Sequence, residues 1–315
     1  MNQNQLKEFI ERLSALGERQ FEQETKAREL IEASLKSAGV QYSRESFKTY
    51  LPRFKEVKLI VDGKEIPCAG SCFVSGIINN ANHLISSLTS SQNFLYTDNI
   101  NFNPRCEGIS RSNHYFAPSL AISKKYVPVL CNAKKVFGSV KVDKKAHTSA
   151  NILVGNSKNP DYLIFSHYDS ISPGAIDNAS GTALSLYLAI NHRELLEKTL
   201  FVFAGNEELS YDKGIYWGHG YRVFEKEHYA LLLRAKKILI IDCVGYSATN
   251  FIQDSNIVIL GFPIRTMQKF TKKTYLVIGD MQTLMRVYHS PLDMPDLIKM
   301  PELMRAGEKI IGRLS

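Results

Sequence analysis

The sequence of 315 residues has no long apolar run. Runs such as "KILIIDCVG" and "NIVILGF" are far shorter than the roughly 18 residues that a membrane-spanning helix needs. No apolar signal region follows the first residues, which have the amphipathic pattern of a helix. The sequence therefore predicts a cytoplasmic protein with no membrane partner, although a chain already trimmed of its signal peptide would look the same.

Cysteine is scarce and irregularly spaced. The five cysteines are Cys68, Cys72, Cys106, Cys131 and Cys243. Cys68 and Cys72 have no second pair at the spacing of a structural zinc site, which disfavours a zinc finger or ribbon. The odd number and the spacing favour reduced thiols over a disulfide framework.

The sequence also lacks the features of a nucleic-acid-binding surface. Its net charge is +8, and residues 1–150 hold 21 Lys and Arg against 14 Asp and Glu, a balance of +7. The basic residues are scattered, with no aromatic residues interleaved among them in a stripe. This distribution favours a solvated basic surface, and we expect no nucleic-acid partner.

The first half of the chain has mixed patterns. Apolar residues at helical spacing predict two helices before Gly39, and residues 40–45 and 57–61 have the composition of strands. Residues 69–147 are rich in Asn, Ser and Lys, with short apolar pieces between long polar stretches. They predict a small β-rich insertion.

From Ser149 onwards, apolar strands alternate with helices. The predicted strands are "ANILVG", "DYLIFSH", "TLFVFAG", "KILIIDCVG" and "NIVILGF", and the predicted helices cover residues 182–195, 216–235 and 264–273 and the C-terminal tail. This alternation is typical of an α/β protein with a largely parallel, buried sheet.

Acids and a histidine follow three of these strands. His167 and Asp169 come after "YLIFS", Glu207 and Glu208 after "LFVFAGN", and Asp242 after "ILII". In open α/β sheets, functional groups collect beyond the carboxyl ends of the strands. Taken singly, His167 is more often a hydrogen-bonded core histidine, and an acid pair such as Glu207 and Glu208 often begins a helix.

Taken together, these side chains indicate a metal centre. Several carboxylates at one point repel each other, and a divalent cation would neutralise them. Histidine nitrogen with carboxylate oxygen is typical zinc ligation, and two ions bridged by one carboxylate would use the surplus ligands.

The motifs "HYDS", "GAIDNASGTA", "NEE", "IDCVG" and "YHSPLD" occur in this order along the chain. With them, nearly the whole sequence resembles the co-catalytic zinc aminopeptidase family, whose members include bacterial leucyl aminopeptidase, glutamate carboxypeptidase, glutaminyl cyclase and the transferrin receptor ectodomain. The resemblance implies a three-layer α/β/α fold with a central mixed, mostly parallel sheet, which is the zinc exopeptidase (phosphorylase/hydrolase-like) architecture. It implies a catalytic domain of residues 1–68 and 148–315, with residues 69–147 as a reduced protease-associated-like insertion.

The resemblance also implies a metal-ligand set. Asp177 would bridge two Zn²⁺ ions, His167 and Asp242 would complete the first site, and Glu208 and His289 the second. Cobalt or manganese are the expected substitutes for zinc in vitro.

Further residues would support the ligands or take part in catalysis. Glu207 would be the general base, and Asp169 would orient His167 from behind. Asp293 resembles the matching support of His289. Tyr288 resembles a tyrosine that hydrogen-bonds the developing oxyanion.

The expected function is that of an aminopeptidase acting on short peptides. A carboxypeptidase or dipeptidase of the same metal architecture is the alternative, and a non-catalytic binding relative is a third reading. The presence of every expected ligand argues against the non-catalytic relative and against the single-zinc glutaminyl cyclases. The sequence leaves a homo-oligomer open.

Overall fold

The structure is a computed structural model that describes residues 1–79, 84–88, 92–212 and 215–314. The chain divides into two compact units. The first unit comprises Met1–Thr49, His147–Met281 and Asp293–Ser315, and the second comprises Tyr50–Ala146 and Gln282–Leu292. The predicted catalytic domain and insertion, with boundaries at residues 68 and 148, stay a prediction.

The described residues form eight α-helices. They are α1 (Gln3–Ser14), α2 (Glu22–Ser37), α3 (Val127–Cys131), α4 (Ser180–Asn191), α5 (His219–Arg234), α6 (Ser255–Gly261), α7 (Met281–Leu284) and α8 (Met300–Leu314). Short 3-10 helices lie at Gln92–Tyr96, Lys124–Tyr126, Arg193–Glu197, Met267–Lys269, Thr271–Lys273 and Pro295–Leu297, and a π-helical turn at Ala175–Ala179. Among the described helices, none combines the length and the apolar character needed to span a bilayer.

Thirteen strands lie within the described ranges. They are β1 (Tyr42–Val61), β2 (Lys64–Glu65), β3 (Cys68–Gly70), β4 (Gly76–Ile78), β5 (Leu84–Ser86), β6 (Asn99–Phe102), β7 (Ser119–Ile122), β8 (Val136–Gly155), β9 (Tyr162–His167), β10 (Thr199–Ala204), β11 (Lys237–Ile241), β12 (Asn250–Ile252) and β13 (Thr274–Ile278).

The first unit is built on a mixed sheet with the strand order β12-β13-β11-β9-β10-β8. The four strands β13, β11, β9 and β10 are parallel, and the antiparallel strands β12 and β8 flank them. Almost every residue of β9, β10 and β11 is buried, as expected for parallel strands covered on both faces. The mostly parallel α/β sheet predicted from the sequence is confirmed.

Helices cover both faces of this sheet. Successive residues of a strand point to opposite faces. Ile164 of β9 belongs to an apolar core with residues of α1, α2, α4 and α8. The next residue, Phe165, packs its ring against Tyr221 and Phe224 of α5, with ring centroids 5.7 and 5.0 Å apart. The first unit therefore has the expected three layers.

The N-terminal helices follow directly from the sequence. Asn2 caps α1: its side chain accepts the backbone N–H of Gln5, and the Gln5 side chain accepts the backbone N–H of Asn2. The apolar stripe of α1, which includes Leu6 and Leu13, is buried in the core of the first unit. The two helices predicted before Gly39 are confirmed.

Two local predictions were wrong, and a third was wrong only in part. The apolar run at residues 256–262 forms α6 and not a strand, because Asp254 accepts the backbone N–H groups of Asn256 and Ile257 and begins a helix there. Residues 264–273 form 3-10 turns instead of a helix, and the strand β13 that follows them was not predicted. The strand structure predicted at 40–45 and 57–61 is confirmed from Tyr42 onwards, but the two segments form one continuous strand, β1, and not two.

The second unit is β-rich. It contains a sheet of order β3-β7-β6-β5, in which β5, β6 and β7 are parallel and β3 is antiparallel to β7. Its core includes the buried side chains of Leu59, Ile100 and Leu120. Within this unit, β4 also pairs with β8, and β1 pairs with β2.

Candidate metal centre

The parallel strands of the first unit bring His167 and Asp242 to one edge of the sheet. His167 is the last residue of β9, and Asp242 directly follows β11, the neighbouring parallel strand. His167 Nε2 lies 3.5 Å from Asp242 Oδ1 and 3.3 Å from Asp177 Oδ1. His167 and Asp177 are buried, and Asp242 is partly exposed.

Among the described residues, two groups of side chains have ligand atoms close enough to hold a metal ion. His167, Asp177 and Glu208 form one, and Asp177, Asp242 and Cys243 form the other; within each group the ligand atoms lie within 4.8 Å of one another. Asp177 belongs to both groups, which is the arrangement that a bridging carboxylate requires. Four of the five predicted ligands thus lie together in the first unit.

Cys243 was not singled out from the sequence. Its thiol donates to Asp242 Oδ1 at 3.2 Å, and its side chain is buried. Burial raises the pKa of the Cys243 thiol well above its ordinary value, and the nearby Asp177 and Asp242 add to the increase. The only signal in the sequence was its position directly after Asp242 in "IDCVG".

Asp169 lies behind the cluster and is fully buried. Its carboxylate accepts the backbone N–H of Glu207 at 3.0 Å and that of Glu208 at 2.9 Å. Asp169 Oδ1 also lies 3.5 Å from Nδ1 of His167, the ring nitrogen that faces away from Asp177 and Asp242. One carboxylate therefore contacts the predicted ligand His167 and the backbone of both glutamates.

A tight turn carries Asp177. The turn, Ala175–Ala179, is held by Asp293, whose carboxylate accepts the backbone N–H of Ile176 at 2.7 Å and that of Asp177 at 3.1 Å. Burial raises the pKa of Asp293 to about 7, against the lowering effect of the Ile176 N–H. The resemblance gave Asp293 a different role, as support of His289, and that role stays a prediction.

Asn178 connects this turn to the end of β11. Its side chain donates to the carbonyl of Ile241 at 2.8 Å and accepts the backbone N–H groups of Gly181 and Cys243 at 3.1 and 3.3 Å. Asp177 and Asp242 are therefore attached to one hydrogen-bonded framework. Sequence reasoning gave Asn178 no such role, because an asparagine bonded to distant backbone groups leaves no local pattern.

Burial perturbs the titration of the cluster. It raises the pKa of Glu207 well above its ordinary value; the charge of His167 opposes this effect, and Glu208 and Asp169 reinforce it. For His167, burial lowers the pKa, but hydrogen bonds to Asp169, Asp177 and Asp242 outweigh it and raise the pKa well above its usual range. Protons thus balance part of the negative charge of the cluster, a role that a divalent cation also fills. Buried imidazole and carboxylate donors fit zinc.

His289 and Tyr288 belong to the second unit. There, His289 Nδ1 lies 3.2 Å from the backbone carbonyl oxygen of Arg111. The backbone N–H of Arg111 in turn donates to the backbone carbonyl of His289 at 2.9 Å. Ser110 Oγ donates to the carbonyl of Tyr288 at 2.6 Å, and the Tyr288 and His289 rings stack with centroids 3.7 Å apart. The roles of both residues stay predictions.

Residues 150–256 match the model of peptidase family M28. The expected family is confirmed over this segment. The segment holds His167, Asp177, Glu208 and Asp242, together with Glu207 and Asp169. The match also confirms the expected class of enzyme, a peptidase, over this segment.

Solved structures share the fold. BSAP, a zinc aminopeptidase from Bacillus subtilis, has a TM-score of 0.70 and 20% sequence identity, covering 98% of this chain and 93% of its own. An aminopeptidase from Aneurinibacillus sp. strain AM-1 has a TM-score of 0.66 and 19% identity over 99% and 93% of the two chains. Porphyromonas gingivalis glutaminyl cyclase has a TM-score of 0.54 and 13% identity over 99% and 97%. A search of curated proteins gives no match.

Proposed function

We propose that this M28 metallopeptidase is an aminopeptidase that removes N-terminal residues from short peptides with the help of two zinc ions. The observation that carries the proposal is the buried cluster in which Asp177 belongs to both candidate ligand groups. A bridging carboxylate between two ions is the arrangement that positions two metals for one hydrolytic reaction.

The ligands would divide between two sites. His167 and Asp242 would hold one ion, Glu208 and His289 the other, with Asp177 shared. A pair of zinc ions supplies Lewis acidity at the scissile carbonyl and lowers the pKa of the attacking water toward neutrality.

Glu207 is the proposed proton carrier. It follows the strand end beside Glu208, but it belongs to neither candidate ligand group. Its backbone is held by Asp169, and its buried carboxylate has a raised pKa. A carboxylate with a raised pKa is a stronger base than an ordinary glutamate, and it would accept a proton from the attacking water and pass it to the leaving amine. Tyr288 would donate a hydrogen bond to the tetrahedral oxyanion.

The aminopeptidase direction is favoured by the two structural neighbours described as aminopeptidases, which have higher TM-scores than the glutaminyl cyclase. A carboxypeptidase or dipeptidase would use the same metal centre. The three activities differ in which end of the peptide must be free.

Blocked peptides distinguish them. We expect the purified chain to cleave aminoacyl chromogenic substrates and C-blocked dipeptides and to lose this activity with a zinc chelator. N-blocked dipeptides should resist cleavage. Cleavage of N-blocked but not C-blocked peptides would indicate a carboxypeptidase. Ammonia release from peptides with N-terminal glutamine, without peptide-bond cleavage, would indicate a cyclase.

Metal content and reconstitution complete the test. We expect about two zinc ions per chain, as the bridging arrangement requires. Cobalt or manganese should restore activity to the chelated protein. A chain that binds no zinc and cleaves none of these peptides would favour a non-catalytic relative.

A further inference from the structure

Among the residues that the structure describes, Arg19 is a buried cation without the carboxylate partner that such a cation usually has. It lies in the connection between α1 and α2, and none of its surface is exposed. Burying a guanidinium is unfavourable unless its hydrogen bonds are satisfied. In the described part of the chain, no carboxylate oxygen lies within 4.0 Å of the Arg19 side chain. Its hydrogen bonds must come from another source.

That source is the backbone, mostly that of one loop, with a longer hydrogen bond from Nη1 to the carbonyl of Leu13 at 3.4 Å. Arg19 Nε donates to the carbonyl of Tyr168 at 2.8 Å, Nη1 to that of Pro173 at 2.6 Å and Nη2 to that of Gly174 at 3.0 Å. The backbone N–H of Arg19 also donates to the carbonyl of Ser170 at 3.1 Å. The planar guanidinium therefore binds both ends of the segment 168–174.

This segment separates two predicted metal ligands. Tyr168 lies directly after His167 and directly before Asp169, and Gly174 begins the turn that carries Asp177. Any change in the length or path of the segment would alter the distance from His167 to Asp177.

The end of the segment has no room for a side chain. Gly174 has a φ of +57°, and a Cβ atom there would lie 2.3 Å from the carbonyl oxygen of Asp177 and 3.0 Å from Arg19 Nη2. The backbone of Gly174 therefore lies directly against the guanidinium of Arg19, and a side chain at position 174 would displace it.

The charge of Arg19 also faces the cluster at longer range. Burial lowers the pKa of Arg19 to about 10, and Asp169, Asp293, Asp177 and Glu208 counteract this effect. Arg19 therefore remains charged at neutral pH. The positive charge of Arg19 would repel a metal ion, so its removal would strengthen metal binding. If the guanidinium instead fixes the positions of the ligands, its removal would weaken metal binding.

We propose that Arg19 is a positioning residue of the metal centre, whose guanidinium fixes the separation of His167 and Asp177 by binding the carbonyls of Tyr168, Pro173 and Gly174. The inference rests on the proposed zinc function. Lysine would keep the charge but cannot make three hydrogen bonds in a planar fork. Residues that orient metal ligands typically change metal affinity by about 10–100-fold when removed.

The test compares Arg19→Lys and Arg19→Met with Arg28→Met. Arg28 lies on α2, is largely buried and contacts Glu32 at 3.9 Å, so it controls for the loss of a packed arginine. Zinc affinity is measured by competition with a chromogenic chelator, well below the unfolding temperature. We expect both Arg19 variants to bind zinc about 10–100-fold more weakly than the wild type, and Arg28→Met to bind it normally.

Other outcomes overturn the inference. If the Arg19 variants melt earlier but bind zinc as well as Arg28→Met, the residue only anchors the N-terminal helices. If Arg19→Met binds zinc more tightly and Arg19→Lys binds it normally, only the charge matters. A variant that is unfolded without metal is titrated with zinc, since its folding midpoint then reports the affinity.

The zinc binding of the wild type distinguishes a failure of the proposed function from a failure of the role of Arg19. A wild-type chain that binds no zinc overturns both proposals. A wild type that binds zinc and cleaves peptides, with Arg19 variants of unchanged affinity, overturns the role of Arg19 alone.

Discussion

The carboxylate of Asp169 accepts the backbone N–H of Glu207, with Oδ1 and N 3.0 Å apart. The resemblance gave Asp169 one task, the orientation of His167. The structure adds a second task, since the same carboxylate also holds the backbone of both glutamates: it accepts the N–H of Glu208 as well as that of Glu207. The proposed base and one proposed ligand, which follow β10, are thus tied to the segment after β9 through one buried acid.

Asp169→Asn should therefore weaken both metal binding and catalysis. An asparagine side chain has one acceptor oxygen, so it cannot accept both backbone N–H groups as the carboxylate does. We expect zinc affinity to fall by about 10–100-fold and kcat to fall with it. Asp161→Asn is the matched control, because Asp161 directly precedes β9 at its other end and its side chain contacts the exposed Lys236. Equal effects of the two substitutions on zinc affinity would contradict the role of Asp169.

Glu207→Gln and Glu208→Gln should separate the two adjacent acids. Glutamine at 207 cannot accept a proton, so kcat should fall by about 10²–10⁴-fold while the zinc content stays unchanged. Glutamine at 208 removes a charged ligand, so the zinc content should fall. Each variant controls for the other, with zinc measured by atomic absorption. Loss of zinc from Glu207→Gln but not from Glu208→Gln would show that Glu207 is the ligand and Glu208 the base.

The metal-free protein should lose stability with rising pH because of Asp293. The pKa of this carboxyl is raised from 3.8 in the ordinary state to about 7 in the folded protein, so the native state holds a proton that the unfolded state has released between these values. Stability from this group is complete below pH 3.8 and is lost as the pH rises through 7, by roughly 4 kcal/mol in total.

Asp293→Asn removes this titration. With a chelator present, urea unfolding of the wild type and the variant is compared from pH 4 to 8. The free energy of unfolding of the wild type should fall relative to that of the variant as the pH rises to 7. Above pH 7 the difference between the two proteins should stay constant. A difference that does not vary with pH would show that Asp293 is ionised throughout.

The parts of the fold that could be predicted are those whose own residues form a recognisable pattern along the sequence. The strands ending at His167 and Ala204 are apolar runs of suitable length, and their shared edge follows from a parallel sheet. The strand prediction for "NIVILGF" at 256–262 was wrong because a short, mostly apolar run fits a strand or a helix equally, and the deciding contact is a single cap by Asp254.

The supporting contacts of the centre were less accessible to sequence reasoning. Arg19 is separated from Gly174 by 155 residues, and its guanidinium binds backbone carbonyls, which no side-chain pattern reveals. Asn178 likewise acts through backbone groups on another strand. Sequence motifs identify residues by type and spacing, whereas these contacts depend on where the backbone passes in three dimensions.

His289→Ala tests the one predicted ligand outside the first unit. If His289 completes the second site, its removal should lower the zinc content from about two ions per chain to about one, because Asp177, His167 and Asp242 still provide three ligands for the first ion. His192→Ala is the control, since His192 is partly exposed and contacts Glu194 at 3.2 Å. The zinc content of that variant should equal that of the wild type. Two tightly bound ions in His289→Ala would show that the second site takes its remaining ligand from a residue other than His289, and the ligand set implied by "YHSPLD" would then be wrong.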